Sequence, residues 1–265
     1  MSKPLILISN DDGIQAAGLK ALCEAMLPLG EVVVMAPDVE RSAVGHAITL
    51  SDSLRIMDVD LGLDGVTAQS CSGTPADCVK LAILAVLPRR PDLVVSGINH
   101  GSNTGINVIY SGTVSAATEG SILGIPSVAF SIDSWDPPDF GPAKAIAQQV
   151  ARRVLDKGLP GGTLLNVNIP SQLTANVAAE GLEGRGYHLT VHGKSDWQDY
   201  FDRRTDPHNR TYYRLNGRKR EMEESVNTDE ESLKAGKVSI TPLHYDLTDY
   251  KFFEDLAQWD LFQPV

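Results

Sequence analysis

Residues 5–14 read LILISNDDGI, and the fold turns on this stretch. Leu5-Ile6-Leu7-Ile8 is an unbroken apolar run without the alternation of a half-exposed strand, the pattern of a strand buried on both faces of a parallel sheet. Asp11 and Asp12 follow where that strand leaves the interior. Two neighbouring carboxylates repel each other and lose hydration on burial, so the strand end calls for a compensating group.

Working outward, the first half alternates strand and helix signals with short connections. Residues 16–27 form a predicted helix with the stripe Leu19, Leu22, Cys23 and Met26, ended by Gly30. Strands are predicted at 31–36, 92–96, 127–131 and 163–169, and helices at 74–87, 113–123 and 142–157. Thr74-Pro75-Ala76-Asp77 has the composition of a capping box with proline in the first turn. This order predicts a Rossmann-like, doubly wound α/β core over residues 1–170 with a mostly parallel sheet. Residues 171–265 read differently: a half-exposed strand at 187–192, a charged, aromatic hairpin at 194–224, a strand at 237–243 and helical spacing over 250–261. They are expected to form a β-rich and helical arm for oligomerisation that also serves as a lid.

The net charge of −11 argues against a nucleic-acid duplex or an anionic membrane as partner. Cys23, Cys71 and Cys78 contain no C-x-x-C pair and read as reduced, core-packing thiols. No apolar stretch is long enough to span a bilayer or to serve as a secretory leader, so the expected location is cytoplasmic.

Ligands of open parallel sheets bind beyond the carboxyl ends of the strands. Three loops there are rich in oxygen: Asn10-Asp11-Asp12, the loop with Ser42, and the loop with Asn99, Asn103 and Asn107. Asn-Asp-Asp-Gly also suits a tight turn that caps a helix, which accounts for one carboxylate and leaves the other unexplained. The alternative is an all-oxygen cage for a hard divalent cation, zinc being disfavoured by the absence of a His/Cys cluster with ligand spacing. Ser111-Gly112-Thr113 opens a helix after a glycine-rich loop, which reads either as a phosphate site or as an ordinary cap on a flexible loop. A P-loop and a G-x-G-x-x-G fingerprint are absent, and Asn10 stands where an aspartyl-phosphate enzyme needs its nucleophile. His46, His100 and Arg41 lie on the same loops, as supporting groups or solvated side chains.

Taken together, SNDDGI, APDVERSAVGHAITL, CSGTPADCVKLAI, PDLVVSGINHGSNTGINVIYSGTVSAATEG and VSITPL resemble the SurE survival-protein family of metal-dependent 5'/3'-nucleotidases. The resemblance spans nearly the whole chain. It implies a phosphomonoesterase acting on nucleoside 5'- and 3'-monophosphates, with exopolyphosphatase activity on short polyphosphate in some members. It further implies one divalent cation, Mg or Mn, per subunit and a homodimer or homotetramer built through the C-terminal arm. The family's metal ligands carry over onto Asp11, Asp12, Ser42 and Asn99, with Asp11 and Asp12 also the catalytic candidates. Its phosphate-proximal residues fall on Asn103, Ser111, Gly112 and Thr113. Many members have glycine where this chain has Ala43, and the motif before the last strand keeps Thr228 and Asp229 but differs around them. The expected activity is hydrolysis of a phosphate ester; the rival is a sensor that binds nucleotide or phosphate with metal and without turnover.

Overall fold

In the computed structural model of the chain, every residue of β1 (Leu5–Ser9) is buried, and its side chains serve two different cores. The structure describes residues 3–136, 139–171, 186–194, 196–220, 227–259 and 261. After β1 come α1 (Ala17–Met26), β2 (Glu31–Pro37), β3 (Ile56–Asp58), β4 (Val66–Cys71), α2 (Pro75–Leu81), β5 (Leu93–His100) and α3 (Asn107–Tyr110). Next are α4 (Gly112–Ile122), β6 (Ser127–Asp133), α5 (Gly141–Lys157) and β7 (Thr163–Pro170). β8 (Tyr187–Leu189), β9 (Asp196–Thr205), β10 (Thr211–Arg220), α6 (Asp229–Lys234), β11 (Val238–His244) and α7 (Tyr250–Leu256) complete the described elements.

Ile6 and Ile8 pack with Leu22 and Met26 of α1 and Val150 of α5 on one side of the sheet. Leu7 points the other way, into a core with Val79 of α2 and Ala116 of α4. The period of 2 along a strand sends neighbours to opposite faces, and helices cover both, hence the unbroken apolar run. Cys23, Cys71 and Cys78 are free thiols buried in these two cores.

The nine-stranded sheet has the order β3-β4-β2-β1-β5-β6-β7-β11-β8. Strands β4, β2, β1, β5, β6 and β7 run parallel, while β3 joins β4 and β11 joins β7 in antiparallel fashion. Chain order reverses at β1, which pairs with β2 on one side and β5 on the other, making the β1/β5 edge the topological switch point. Asp11 and Asp12 follow β1, and Asn99 is the last residue but one of β5, at this edge. Ser96 opposes Ala129 while Asn99 opposes Ser131, so β5 carries a bulge that re-aims Asn99.

Several elements differ from the expectation. The helix expected to reach residue 87 is α2 followed by a π turn over Ala82–Val86. The expected strand over 187–192 pairs with β11 only through Tyr187–Leu189, and Val191 keeps an isolated bridge to Thr228. The last helix ends at Leu256 and buries none of its residues. β3 and β4 were not expected, because VTAQSC has neither an apolar run nor a clean alternation; its pairing with β2 makes it a strand. The hairpin lies at β9–β10, a separate two-stranded ribbon.

Candidate active site

The three oxygen-rich loops converge. Asp11, Asp12, Ser42, Asn99, Asn103 and Ser111 line one open cleft of about 530 Å3 at the switch point. Gly112 and Thr113 stand behind this lining. The fully buried Thr113 hydroxyl donates to Asp11 Oδ1 and lies 3.1 Å from Asn99 Oδ1, so it ties two wall residues together. Ser111 is the N-cap of α4, its Oγ accepting from the Val114 N–H at 3.1 Å. Asn103 is held from three sides, donating through its backbone N–H to Asn168 Oδ1 and through Nδ2 to Ser131 Oγ, and accepting at its carbonyl from Asn166 Nδ2.

Asp11 is only 5% exposed. Burial raises its pKa from 3.8 to about 6 against the Thr113 hydrogen bond, with the charge of Asp12 adding to the rise. Asp12 is also raised, by burial first, although His100 opposes it. Asp12 Oδ2 is buried without a hydrogen-bond donor, and His100 Nδ1 stands 3.5 Å from it. Arg41 does not neutralise the pair: its guanidinium donates to the Ser72 carbonyl at 2.9 Å and faces Asp38 at 3.7 Å. Both carboxylates thus line the cleft with no Lys or Arg among the described residues paired to either, although burial penalises their charge. Among the described residues no three His, Cys, Asp or Glu side chains are arranged so that they alone could hold a metal ion. The donors here are carboxylate, hydroxyl and amide oxygens, a set that fits a hard divalent cation.

Buried acids anchor the loops that carry these groups. Asp77 completes the capping box of α2 and also accepts from the Thr49 N–H at 2.9 Å and the Thr49 hydroxyl at 2.6 Å. Glu119 of α4 accepts from Lys80 and pairs with His46 Nε2 at 2.8 Å. Burial would raise the Glu119 pKa, but hydrogen bonds from His46 and Lys80 outweigh it and lower it. Both clamps hold the loop with Ser42, whose hydroxyl donates to Glu40 at 2.6 Å and keeps its lone pairs for a ligand. His46 therefore supports the loop from behind, whereas His100 lines the cleft beside Asp12.

Two backbone positions yield predictions. Ala43 sits at φ 57°, in the left-handed region that penalises a Cβ. Ala43→Gly is expected to raise the melting temperature by about 2 °C, the relief of strain exceeding the added chain entropy; calorimetry checks the sign. A Cβ on Gly112 would meet Asp11 Cβ at 2.6 Å and Asp11 Oδ2 at 2.9 Å. Gly112→Ala is therefore expected to displace the Asp11 carboxylate and lower turnover about 100-fold at a stability cost of about 1–3 kcal/mol. Near-normal kinetics would show that Asp11 yields without consequence.

Sequence reasoning missed Trp135 and Tyr110, which also line the cleft. The strand-end rule, applied to the residues after β6 as it was to β1 and β5, would have found Trp135. The asparagines holding Asn103 carried no local signal, because Asn166 and Asn168 lie inside a buried strand.

Fold and cleft together define a doubly wound α/β protein that presents an acidic, oxygen-lined cleft at its switch point. The profile of the Survival protein SurE family matches residues 6–199. A protein of Christiangramia forsetii named 5'-nucleotidase SurE is 46% identical over 261 residues, 98% of each chain. Its namesake in Cytophaga hutchinsonii is 46% identical over 258 residues, 97% of this chain and 96% of its own. The crystal structure of the SurE protein from Aquifex aeolicus superposes with a TM-score of 0.81 at 38% identity, covering 96% of this chain and 98% of its own. This chain belongs to the SurE family.

Proposed function

We propose that the protein is a metal-dependent 5'-nucleotidase, a phosphoric monoester hydrolase that releases phosphate from nucleoside monophosphates. One observation carries this reading: a buried and a half-buried carboxylate, with no Lys or Arg paired to either among the described residues, converge with hydroxyl and amide oxygens beside the N-terminus of α4. The relatives named 5'-nucleotidase supply the substrate class.

Asp11, Asp12, Ser42 and Asn99 would hold one divalent cation per subunit, Mg or Mn by the hardness of the donors. Bound there, the cation supplies Lewis-acid polarisation of the phosphoryl group and acidifies a water. Thr113 fixes the orientation of Asp11 and Asn99, so these donors need not reorganise during turnover. Asp12 would take the proton of the attacking water, a role supported by its place in the cleft wall and by His100 Nδ1 standing 3.5 Å from its Oδ2. The first turn of α4, behind the Ser111 cap, presents the positive end of the helix dipole to the phosphate oxygens, and Asn103 closes the cleft beside them.

The same site would accept 3'-monophosphates and the end of a short polyphosphate, since the groups described recognise a terminal phosphate. Residues 1–170 serve as the catalytic core. Residues 171–265 act as an arm for a homodimer or homotetramer, a role that suits the exposed Phe201, Tyr213, Leu215 and Phe253. Free, buried thiols suit the cytoplasm, and no described helix is long and apolar enough to cross a membrane.

The test is phosphate release from a panel of nucleoside 5'- and 3'-monophosphates by chelator-stripped protein resupplied with Mg or Mn. Metal-restored release is expected. Nucleotide binding with metal but without release would replace the enzyme by a sensor.

A further inference from the structure

Holding a phosphate and a cation does not account for the whole cleft. Its volume of about 530 Å3 is that of a site for a drug-sized molecule, so a nucleoside would fit beside the phosphate groups. One wall residue is anomalous. Trp135, in the turn after β6, lines the same cleft as Asp11 and Asp12 and is 86% exposed. The indole lies against Gly101, where a Cβ would come within 3.2 Å of Trp135 Cη2 and Cζ2. Gly101 has φ +85°, a conformation in which a side chain would be strained, so the residue under the ring stays bare for two reasons.

The backbone beneath the ring is anchored to the loop that follows Asn99. The Gly101 N–H donates to the Ser134 carbonyl at 2.9 Å, and the Ser102 hydroxyl donates to Asp133 Oδ1 at 2.9 Å. Trp135 is thus a large aromatic surface braced from below and open to the cleft. Tyr110, 57% exposed at the end of α3, lines the same space. Aromatic side chains stack on any base because every base has a π-face, whereas hydrogen-bond readout would single one out.

We propose that Trp135 is the stacking platform for the nucleobase, so that the enzyme takes nucleotides as a class and favours larger, purine bases over pyrimidines. This inference rests on the nucleotidase reading above and adds the residue that separates nucleotides from other phosphate esters. Tyr110 borders the same base. Apart from these two aromatic rings, the recognition groups described above address phosphate and cation, so most of the preference should reside in the larger ring, the indole.

The test compares wild type, Trp135→Ala and Trp135→Phe with AMP, CMP and ribose 5-phosphate as substrates in Mn. Trp135→Ala is expected to lower kcat/KM for AMP relative to ribose 5-phosphate roughly 5- to 100-fold, mostly through KM, and to level AMP with CMP. Trp135→Phe, which still stacks, should retain most of the preference. The exposed position makes misfolding of either variant readable, as a lowered melting temperature. An unchanged AMP to ribose 5-phosphate ratio in Trp135→Ala, with wild type active, would overturn the platform and leave the nucleotidase standing. If wild type hydrolyses none of the three, the nucleotidase reading fails, and quenching of tryptophan fluorescence by AMP decides the platform separately. Quenching lost in Trp135→Phe would support stacking, and quenching retained there would refute it.

Discussion

Asp11→Asn is expected to abolish phosphate release while making the metal-free protein more stable at neutral pH. Asp11 is buried with a pKa raised from 3.8 to about 6. A carboxyl whose folded pKa lies above its unfolded value costs stability as pH rises through that interval, and the cost stays constant above it. A rise from 3.8 to about 6 corresponds to a penalty on the order of 3 kcal/mol at pH 7 to 8. Asparagine has the same shape, carries no charge and can still accept the Thr113 hydrogen bond. The metal-free variant should therefore melt higher than metal-free wild type at pH 8, with most of the difference gone at pH 4 and the rest lost below the unfolded pKa of 3.8. Added Mn should raise the melting temperature of wild type and leave that of the variant unchanged. Because the variant removes a proposed ligand, turnover should fall by more than about 100-fold, the upper range for groups that only support a ligand. In wild type, Mn affinity should weaken below pH 6 as Asp11 takes up its proton. Activity retained with a normal Mn-induced shift would remove Asp11 from the metal site. A variant less stable than wild type at pH 8 would show that the carboxylate is already compensated.

Asp229→Ala is expected to damage the site from a distance. Asp229 is fully buried at the start of α6 and accepts from the Gly105 N–H at 3.0 Å, the Gly193 N–H at 3.0 Å and the Glu230 N–H at 2.9 Å. His192 bonds the carbonyl of the same Gly105. Gly105 lies between Asn103 and Asn107, so one carboxylate from the last third of the chain holds the loop on which those cleft residues stand. Truncation strands three donors in the interior and should cost about 3–5 kcal/mol, lowering the melting temperature by roughly 10 °C. With the loop released, kcat should fall and KM rise even under saturating Mn. Asp229→Asn should lie between, since an amide oxygen in the place of Oδ1 still serves the Gly193 and Glu230 N–H groups while its NH2 faces the Gly105 N–H. Thermal unfolding together with kinetics checks both; a destabilised variant with normal kinetics would confine Asp229 to folding.

Much of this molecule is legible along the chain. The apolar runs at residues 5–8, 31–36, 92–96 and 163–169 mark strands, because burial on both faces leaves no place for alternation. Asp11 with Asp12 and the glycine- and asparagine-rich loop before α4 stand out because their composition is costly or strained without a ligand. β4 was hidden, since the mixed composition VTAQSC acquires strand geometry only from the ladder with β2, and the short β8 depends on β11 in the same way. For Trp135 the sequence shows a tryptophan in a polar turn, and only the ring's position over Gly101 brings it to the cleft.

The sequence by itself determined the local terms: which segments are apolar on both faces, where caps and breakers end the helices, and that two adjacent carboxylates follow a strand. These are nearest-neighbour properties, set by side-chain period, backbone restriction and charge within a few residues. The tertiary structure alone decided which strand ends meet, that Thr113 and Asn99 reach Asp11, that Glu119 and Asp229 hold the site loops, and that a tryptophan faces the cleft. Such contacts join residues from 14 to 124 positions apart. Their free energy exists only once the sheet order has brought the segments together, so no local pattern can encode them.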